Sequence, residues 1–345
     1  MRPALKAGLR PLWRNRDTLQ IGVDPRRARA LTGLGKAAAI VSLLDGSRDT
    51  ATVMRTASDY GIAPEAVDRV LGLLASAGVL DDFPAHLHRA LPDYLRSRLA
   101  PELACAALAY GHGDGGASVL ARRRAAFVRV YGAGRVGAGV ATLLAASGVA
   151  WVSCRAAGTA GPGDTAPAGL GLADVGSGQA GGVARAIHRV APEVRTADDR
   201  GRMPELAVLT GRPDPVLVAQ LMGDRVPHLV VHADEAIGVV GPLVLPGRSA
   251  CVRCLDLSKA ARDPAWPLIL AQLTGRQPDP LACDAALTAS VAAQAATQAL
   301  AFLDRVPQVH ALVNGTLELV LPGWQWRRRT WPPHRWCTCG SRAQA

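Results

Sequence analysis

The sequence predicts a two-domain α/β protein, in which a small winged helix-turn-helix unit precedes a doubly wound α/β domain carrying a structural metal. Three observations carry this. The first eighty or so residues read as short strands followed by three helices. FVRVYGAGRVGAGVATLLAASGVAWV reads as strand, glycine turn, helix and strand. Two close cysteine pairs, Cys251/Cys254 and Cys337/Cys339, stand far apart in the second half. A length of 345 residues favours two domains and gives enough apolar sequence for a sizeable core. The boundaries fall at 1–82 for the winged unit, 83–124 for a linker and 125–345 for the α/β domain.

Within the first unit, Leu9 to Asn15, Thr18 to Val23 and the segment RARALTG read as strands. Gly35 to Leu44 is apolar and helical, closed by Asp45-Gly46. A second helix runs from Asp49 to Tyr60, with Asp49 or Thr50 as N-cap and Gly61 as its stop. Pro64 starts a third, whose Val67, Val70, Leu71 and Leu74 follow the spacing of one buried helical face. Val79-Leu80 returns as a strand. HGDGG breaks the connector before Phe127.

In the second unit the glycine turn satisfies G-x-G-x-x-G with Gly132, Gly134 and Gly137. Such glycines let the backbone turn tightly and approach a phosphate at a helix N-terminus. A helix from Ala180 to Val190, the strand LAVLTG, a helix from Pro215 to Met222 and the strand HLVVHADE follow. This alternation implies a largely parallel, Rossmann-like sheet. AIGVVG and PLVLPG resemble a hairpin. Ala285 to Leu303 is a long alanine-rich helix, and NGTLELVLP a late strand.

The net charge is +11, but only Lys6, Lys36 and Lys259 are lysines, and arginine supplies the rest. That bias, with abundant alanine, fits a GC-rich genome as well as attraction to an acidic partner. The clearest clusters are Arg2, Lys6, Arg10, Arg14 and Arg16, then Arg327, Arg328 and Arg329. No long uncharged apolar run stands out as a membrane span, and the N-terminus lacks a signal-peptide pattern. A cytoplasmic location is expected. Seven cysteines is an odd number and, without a secretion signal, argues against a disulfide framework.

Four thiolates in two close pairs match a tetrahedral structural zinc site at Cys251, Cys254, Cys337 and Cys339. The second pair is C-x-C, tighter than the usual spacing, and His334 could replace one ligand. No redox βαβ context surrounds Cys251/Cys254, and Leu255 stands where haem attachment needs a histidine. Cys105, Cys154 and Cys283 are expected as core thiols. A dinucleotide oxidoreductase needs an acid at the end of the second strand, where Cys154 and Arg155 stand instead.

The glycine segment, DVGSGQAGGVARAIHRVAPEV, AIGVVGPLVLPG running into CVRCLDL, and the final cysteine pair together resemble the ThiF/MoeB family of adenylating enzymes, related to ubiquitin-activating enzymes. They cover Phe127 to Gly340. LTGLGKAAAIVSLLDGSRDTATV and the third helix resemble a PqqD-like recognition element for ribosomally made, modified peptides. Together these resemble the peptide-modifying branch, comprising MccB-type adenylating enzymes and the leader-binding ThiF-like partners of YcaO cyclodehydratases. The resemblance implies ATP and magnesium at the glycine loop, with Gly132, Gly134, Gly137 and Arg135 near the phosphates and Asp214 on the metal. It also implies frequent dimerisation through the α/β domain.

The chain departs from that pattern. Gln179 stands where the family carries a lysine, and Asp164 is the only acid where an aspartate-rich signature is usual. One lost phosphate contact costs on the order of 10²–10³ in rate. The departures therefore imply a member degenerate for adenylation, with an ATP-dependent adenylyltransferase acting on a peptide or carrier-protein C-terminus as the alternative.

In such recognition units a leader peptide adds a strand to an exposed sheet edge. The edge here would be Arg27, Ala28, Arg29, Ala30 and Leu31, with Val67, Leu71 and Leu74 lining the groove or only packing the core. DNA binding is disfavoured, because the third helix offers Glu65 and Asp68 against Arg69. The expected role is to bind a precursor leader and present it to a modifying enzyme of the YcaO type.

Overall fold

The computed structural model describes residues 1–82, 91–199, 201–273, 281–306 and 311–341. The chain divides into two units, Met1–Ala121 and Arg122–Ala345.

In the first unit, β2 (Pro11–Trp13), β3 (Thr18–Ile21) and β4 (Arg29–Thr32) form an antiparallel meander in the order β2-β3-β4. Leu19, Ile21 and Leu31 point inward and join one core with Ile40, Val53, Val67, Val70, Leu71 and Leu74. The last four lie on α2 (Pro64–Ser76), as the helical spacing predicts. Helix α1 (Thr50–Asp59) starts on Asp49, whose carboxylate accepts the Thr52 amide at 2.8 Å. Gly35–Leu43, in the stretch expected to be helical, is a 3-10 helix.

A strand the sequence did not suggest, β1 (Pro3–Leu5), pairs antiparallel with β5 (Leu80–Asp82). It brings Lys6 to Asp81 at 2.6 Å, both buried, so Lys6 is not part of a solvated basic cluster. The Lys6 ammonium also donates to the Ala107 carbonyl on α3 (Asp93–Tyr110). Part of the stretch expected as a linker is thus helical and tied into this unit. Helix α4 (Ala117–Ala125) runs across the division between units.

The second unit is built on a seven-stranded sheet ordered β12-β11-β10-β9-β8-β6-β7. Strands β6 (Phe127–Tyr131), β7 (Trp151–Arg155), β8 (Leu206–Thr210) and β9 (His228–Asp234) run parallel. Most of their residues are buried, as suits strands covered on both faces. Strands β10 (Ile237–Val244), β11 (Gly315–Val320) and β12 (Trp326–Thr330) continue antiparallel.

The hairpin expected within Ala236–Gly247 lies one step earlier, between β9 and β10. Glu235 and Ala236 both take positive φ, as a two-residue turn of type I′ requires. The Gly241-Pro242 pair that suggested a turn instead marks a register shift inside β10. Gly241 (φ +107°) admits no side chain, because a Cβ would lie 2.7 Å from the Gly315 carbonyl oxygen.

Helix α5 (Gly134–Ala146) packs against α10 (Ala285–Leu303), with Gly139 meeting Ala292. By length and composition α10 alone among the described helices could cross a membrane, and 56% of its apolar window is buried in the core. The run reads apolar because it lines the inside of the sheet. Helices α6 (Gln179–Val190), α7 (Pro215–Gly223), α8 (Val252–Ala260) and α9 (Trp266–Gln272) complete the unit. Arg123 grips Asp304, just past α10, with Nε and Nη2 at 2.9 and 2.7 Å, both side chains buried.

Candidate metal centre and nucleotide crevice

The turn after β10 is closed by Arg248 and Ser249 amides donating to the Leu245 carbonyl, and by the Ser249 hydroxyl accepting from Leu245 N–H. It delivers Cys251 to the N-cap of α8 and Cys254 to the first turn. The C-terminal segment returns beside it. The Trp331 amide donates to the Asn314 carbonyl, the Asn314 side chain accepts from Ala250 N–H, and the Ser341 hydroxyl donates to the Ser249 carbonyl.

The four sulfurs of Cys251, Cys254, Cys337 and Cys339 lie within 4.8 Å of one another. Cys251–Cys254 is 3.8 Å, and Cys251–Cys337 and Cys254–Cys339 are each 3.6 Å. Four thiolates about 2.3 Å from one tetrahedral ion stand about 3.8 Å apart, so the donor set fits a divalent ion such as zinc. The distances are far beyond a disulfide. His334 is not in the set; its ring faces the Trp336 amide at 3.3 Å.

Hydrogen bonding from Cys251 first, with His334 and Cys337 assisting, holds the Cys254 thiol down at about 4. The same contact, then burial, pushes Cys251 up, and burial pushes Cys337 up to about 11. A cation lets all four ionise.

Of the other cysteines, Cys283 is buried and Cys154 half-buried, with burial pushing Cys154 up to about 12. Cys105 is exposed on α3, contrary to expectation. The periodicity of α3 is weak because Pro101 and scattered alanines leave no clear apolar stripe.

The sheet order reverses around β6, which opens a crevice at the carboxyl ends of β6 and β8. The glycine turn lies there, and packing accounts for two of its glycines. A Cβ at Gly132 (φ +89°) would strike the Thr210 hydroxyl, and one at Gly137 would strike the Gly132 carbonyl oxygen. Gly134 (φ +50°) has open space around it. Arg135 donates from Nη1 to the Cys283 carbonyl at 2.7 Å. Asp214 caps α7, accepting the Val216 amide at 2.9 Å.

Gln179 and Arg155 are paired internally. The Gln179 amide donates to Asp164 at 3.2 Å, and that carboxylate also accepts the Gly161 amide. Arg155, where a ribose-binding acid would stand, is held by Asp198 at 2.6 Å, which also takes Arg129 at 2.8 Å. These guanidiniums keep the Asp198 carboxyl low against its burial.

In the first unit β4 pairs only with β3 among the described strands, so its outer edge is free. Arg29 and Ala30 are exposed there, and Arg27 donates to the Leu108 carbonyl. Leu31, Val67, Leu71 and Leu74 are core residues, at most 8% exposed.

No protein-family model and no curated protein matches the chain. Solved structures do. A crystal structure of E. coli MccB with AMPCPP and MccA matches with a TM-score of 0.69 and 14% identity, covering 99% of this chain and 100% of that one. The fold resembles that of MccB. A structure described as the microcin C7 biosynthetic enzyme MccB in complex with N-formylated MccA gives 0.67 and 15%, covering 99% and 100%. A heterocyclase in complex with substrate and cofactor gives 0.65 and 15%, covering 99% of this chain and 39% of that one. The ThiF-like sheet thus carries its cysteine cluster at one end and the glycine turn beside its reversal point.

Sequence reading missed one cluster. Lys259 on α8 lies 4.6 Å from the Trp266 ring and 6.0 Å from the Trp331 ring. His232 on β9 lies near it. Burial first, then Lys259 and Arg212, pushes the His232 imidazole down, although the residue as a whole is exposed to solvent. Only the scarcity of lysine marked Lys259 beforehand.

Proposed function

We propose that the protein is a peptide-binding scaffold in the making of a ribosomal modified peptide. Its N-terminal winged unit takes the leader of a precursor as an added strand on β4 and presents it to a modifying enzyme, a YcaO-type cyclodehydratase. The work is cytoplasmic. A structural zinc ion at Cys251, Cys254, Cys337 and Cys339 ties the C-terminal segment to the sheet and serves folding alone.

The observation that carries this reading is the state of the crevice. Gln179 and Asp164 satisfy each other, and Asp198 neutralises Arg155. Adenylation needs cations on the phosphates and a carboxylate free for magnesium. Asp214 uses one carboxylate oxygen on a helix cap, and Arg135 uses one guanidinium nitrogen on a backbone carbonyl. The likeness to MccB and to a heterocyclase supports a role with peptides.

Two measurements on the full chain test it. Binding of candidate precursor peptides without nucleotide supports the scaffold. ATP-pyrophosphate exchange that depends on such a peptide would make the protein an adenylyltransferase instead.

A further inference from the structure

We propose that β4 selects its docked strand by a two-residue code: an acidic residue opposite Arg29 and an apolar residue opposite Leu31, two positions apart on the added strand. The proposal rests on the β4 docking reading and names the class of segment that the edge takes.

Register sets the code. Within the meander Leu19 pairs with Leu31, and Ile21 with Arg29. Directly paired residues share a face, and so do residues two apart on one strand. Leu19, Ile21 and Leu31 all join the core of the unit. Arg29 therefore stands on the core-facing side of β4, yet is itself exposed. Ala30 and Thr32 take the opposite face and are exposed too. A strand added to the free edge of β4 continues both rows. Its residue opposite Leu31 extends the row Leu19–Leu31. The residue two positions away lies opposite Arg29 and extends the row Ile21–Arg29.

The chemistry of each row fixes the partner. Beside Leu31 an apolar side chain leaves water for carbon. Beside Arg29 a carboxylate completes an ion pair across the strands. The Arg29 guanidinium donates to the Ala28 carbonyl at 3.0 Å, and among the described residues no carboxylate pairs with it. From Pro25 to Leu44 the chain carries Arg26, Arg27, Arg29 and Lys36 and no acid. Asp24, just before that stretch, is taken by Arg26 at 2.9 and 2.8 Å. A second copy of the chain suits the edge less well. Antiparallel pairing about Ala30 would set each Arg29 opposite a leucine, and pairing about Arg29 would set two guanidiniums against each other.

The test titrates the full, metal-loaded, isotope-labelled chain with end-capped heptapeptides and follows the NMR amide shifts of residues 29–32. TTETVTT and TTVTETT carry the code in the two orders, since an added strand can run either way. TTTEVTT puts the same side chains on opposite faces, and TTKTVTT and TTVTKTT reverse the charge. One of the first two should bind about two- to fivefold more tightly than TTTEVTT and than its own lysine counterpart. Arg29→Glu should reverse the charge preference, and Arg29→Lys should keep it. Arg16→Met, in the turn between β2 and β3, should leave it unchanged. The melting transition checks the fold of each variant.

No amide shift with any peptide, equal binding of spaced and adjacent peptides, a charge preference that survives Arg29→Glu, or its loss in Arg16→Met overturns the proposal. So does a dimer, measured by sedimentation, that protects residues 29–32 in the absence of peptide. The β4 reading fails separately. It falls if a cognate precursor gives no exchange protection at residues 29–32, and it stands if that protection appears while the heptapeptides show no preference.

Discussion

Replacing Cys337 by serine removes one corner of the sulfur tetrahedron. Cys337 lies 86 residues beyond its neighbour Cys251, and a bound ion would close that span as a crosslink does. A constraint on a loop of that length is worth about 4–5 kcal/mol of unfolded-chain entropy. The contacts of Trp331 with Val244, Ala250 and Leu255 remain, so the unit weakens without collapsing. For a unit of this size the loss corresponds to a fall of about 10–18 °C in Tm. Chelation of the parent protein should give the same fall, and none further in Cys337→Ser. Thermal melts followed by near-ultraviolet circular dichroism, with released zinc titrated by a chromophoric chelator, measure both. Cys105→Ser, an exposed thiol outside the cluster, is the control. Metal-free protein as purified, together with a Cys337→Ser melt within about 1 °C of the parent, would refute the reasoning.

Three further outcomes are expected. Hydrogen exchange should slow at residues 29–32 when a cognate precursor peptide binds; protection confined to other segments would remove β4 as the docking edge. Asp304→Ala removes the carboxylate that neutralises the buried Arg123 and should cost about 3–5 kcal/mol in urea unfolding, whereas a loss under about 1 kcal/mol would mean water reaches the guanidinium. Burial holds the His228 imidazole below its usual 6.5, so the unfolded chain takes up the proton first. Stability is then full above about pH 6.5 and declines as pH falls below it, and His228→Phe should flatten that limb of the stability profile.

The parts of the fold that were legible in the sequence are those set by local pattern. The α2 face, the β6 turn into α5, and the Asp49 cap are each specified by neighbouring residues. The cysteine cluster was legible because spacing within each pair is local, even though the gap between pairs is not. What escaped was tertiary. Strand β1 is three residues long and starts on proline, so only its partner β5 makes it a strand. The Gly-Pro pair in β10 carries turn chemistry, yet flanking ladders on both sides hold it extended. The Lys259 surroundings come from β8's loop, two helices and the last strand, which no window of sequence contains.

Synthesis on the ribosome is vectorial, and the sulfur ligands are split across it. Cys251 and Cys254 emerge while α10, β11 and β12 are still unmade. A nascent or prematurely terminated chain that stops before residue 337 offers two donors, too few to hold the ion firmly against cellular thiols. Capture of an ion by all four sulfurs therefore waits for synthesis through residue 339, after every strand of the sheet has been made.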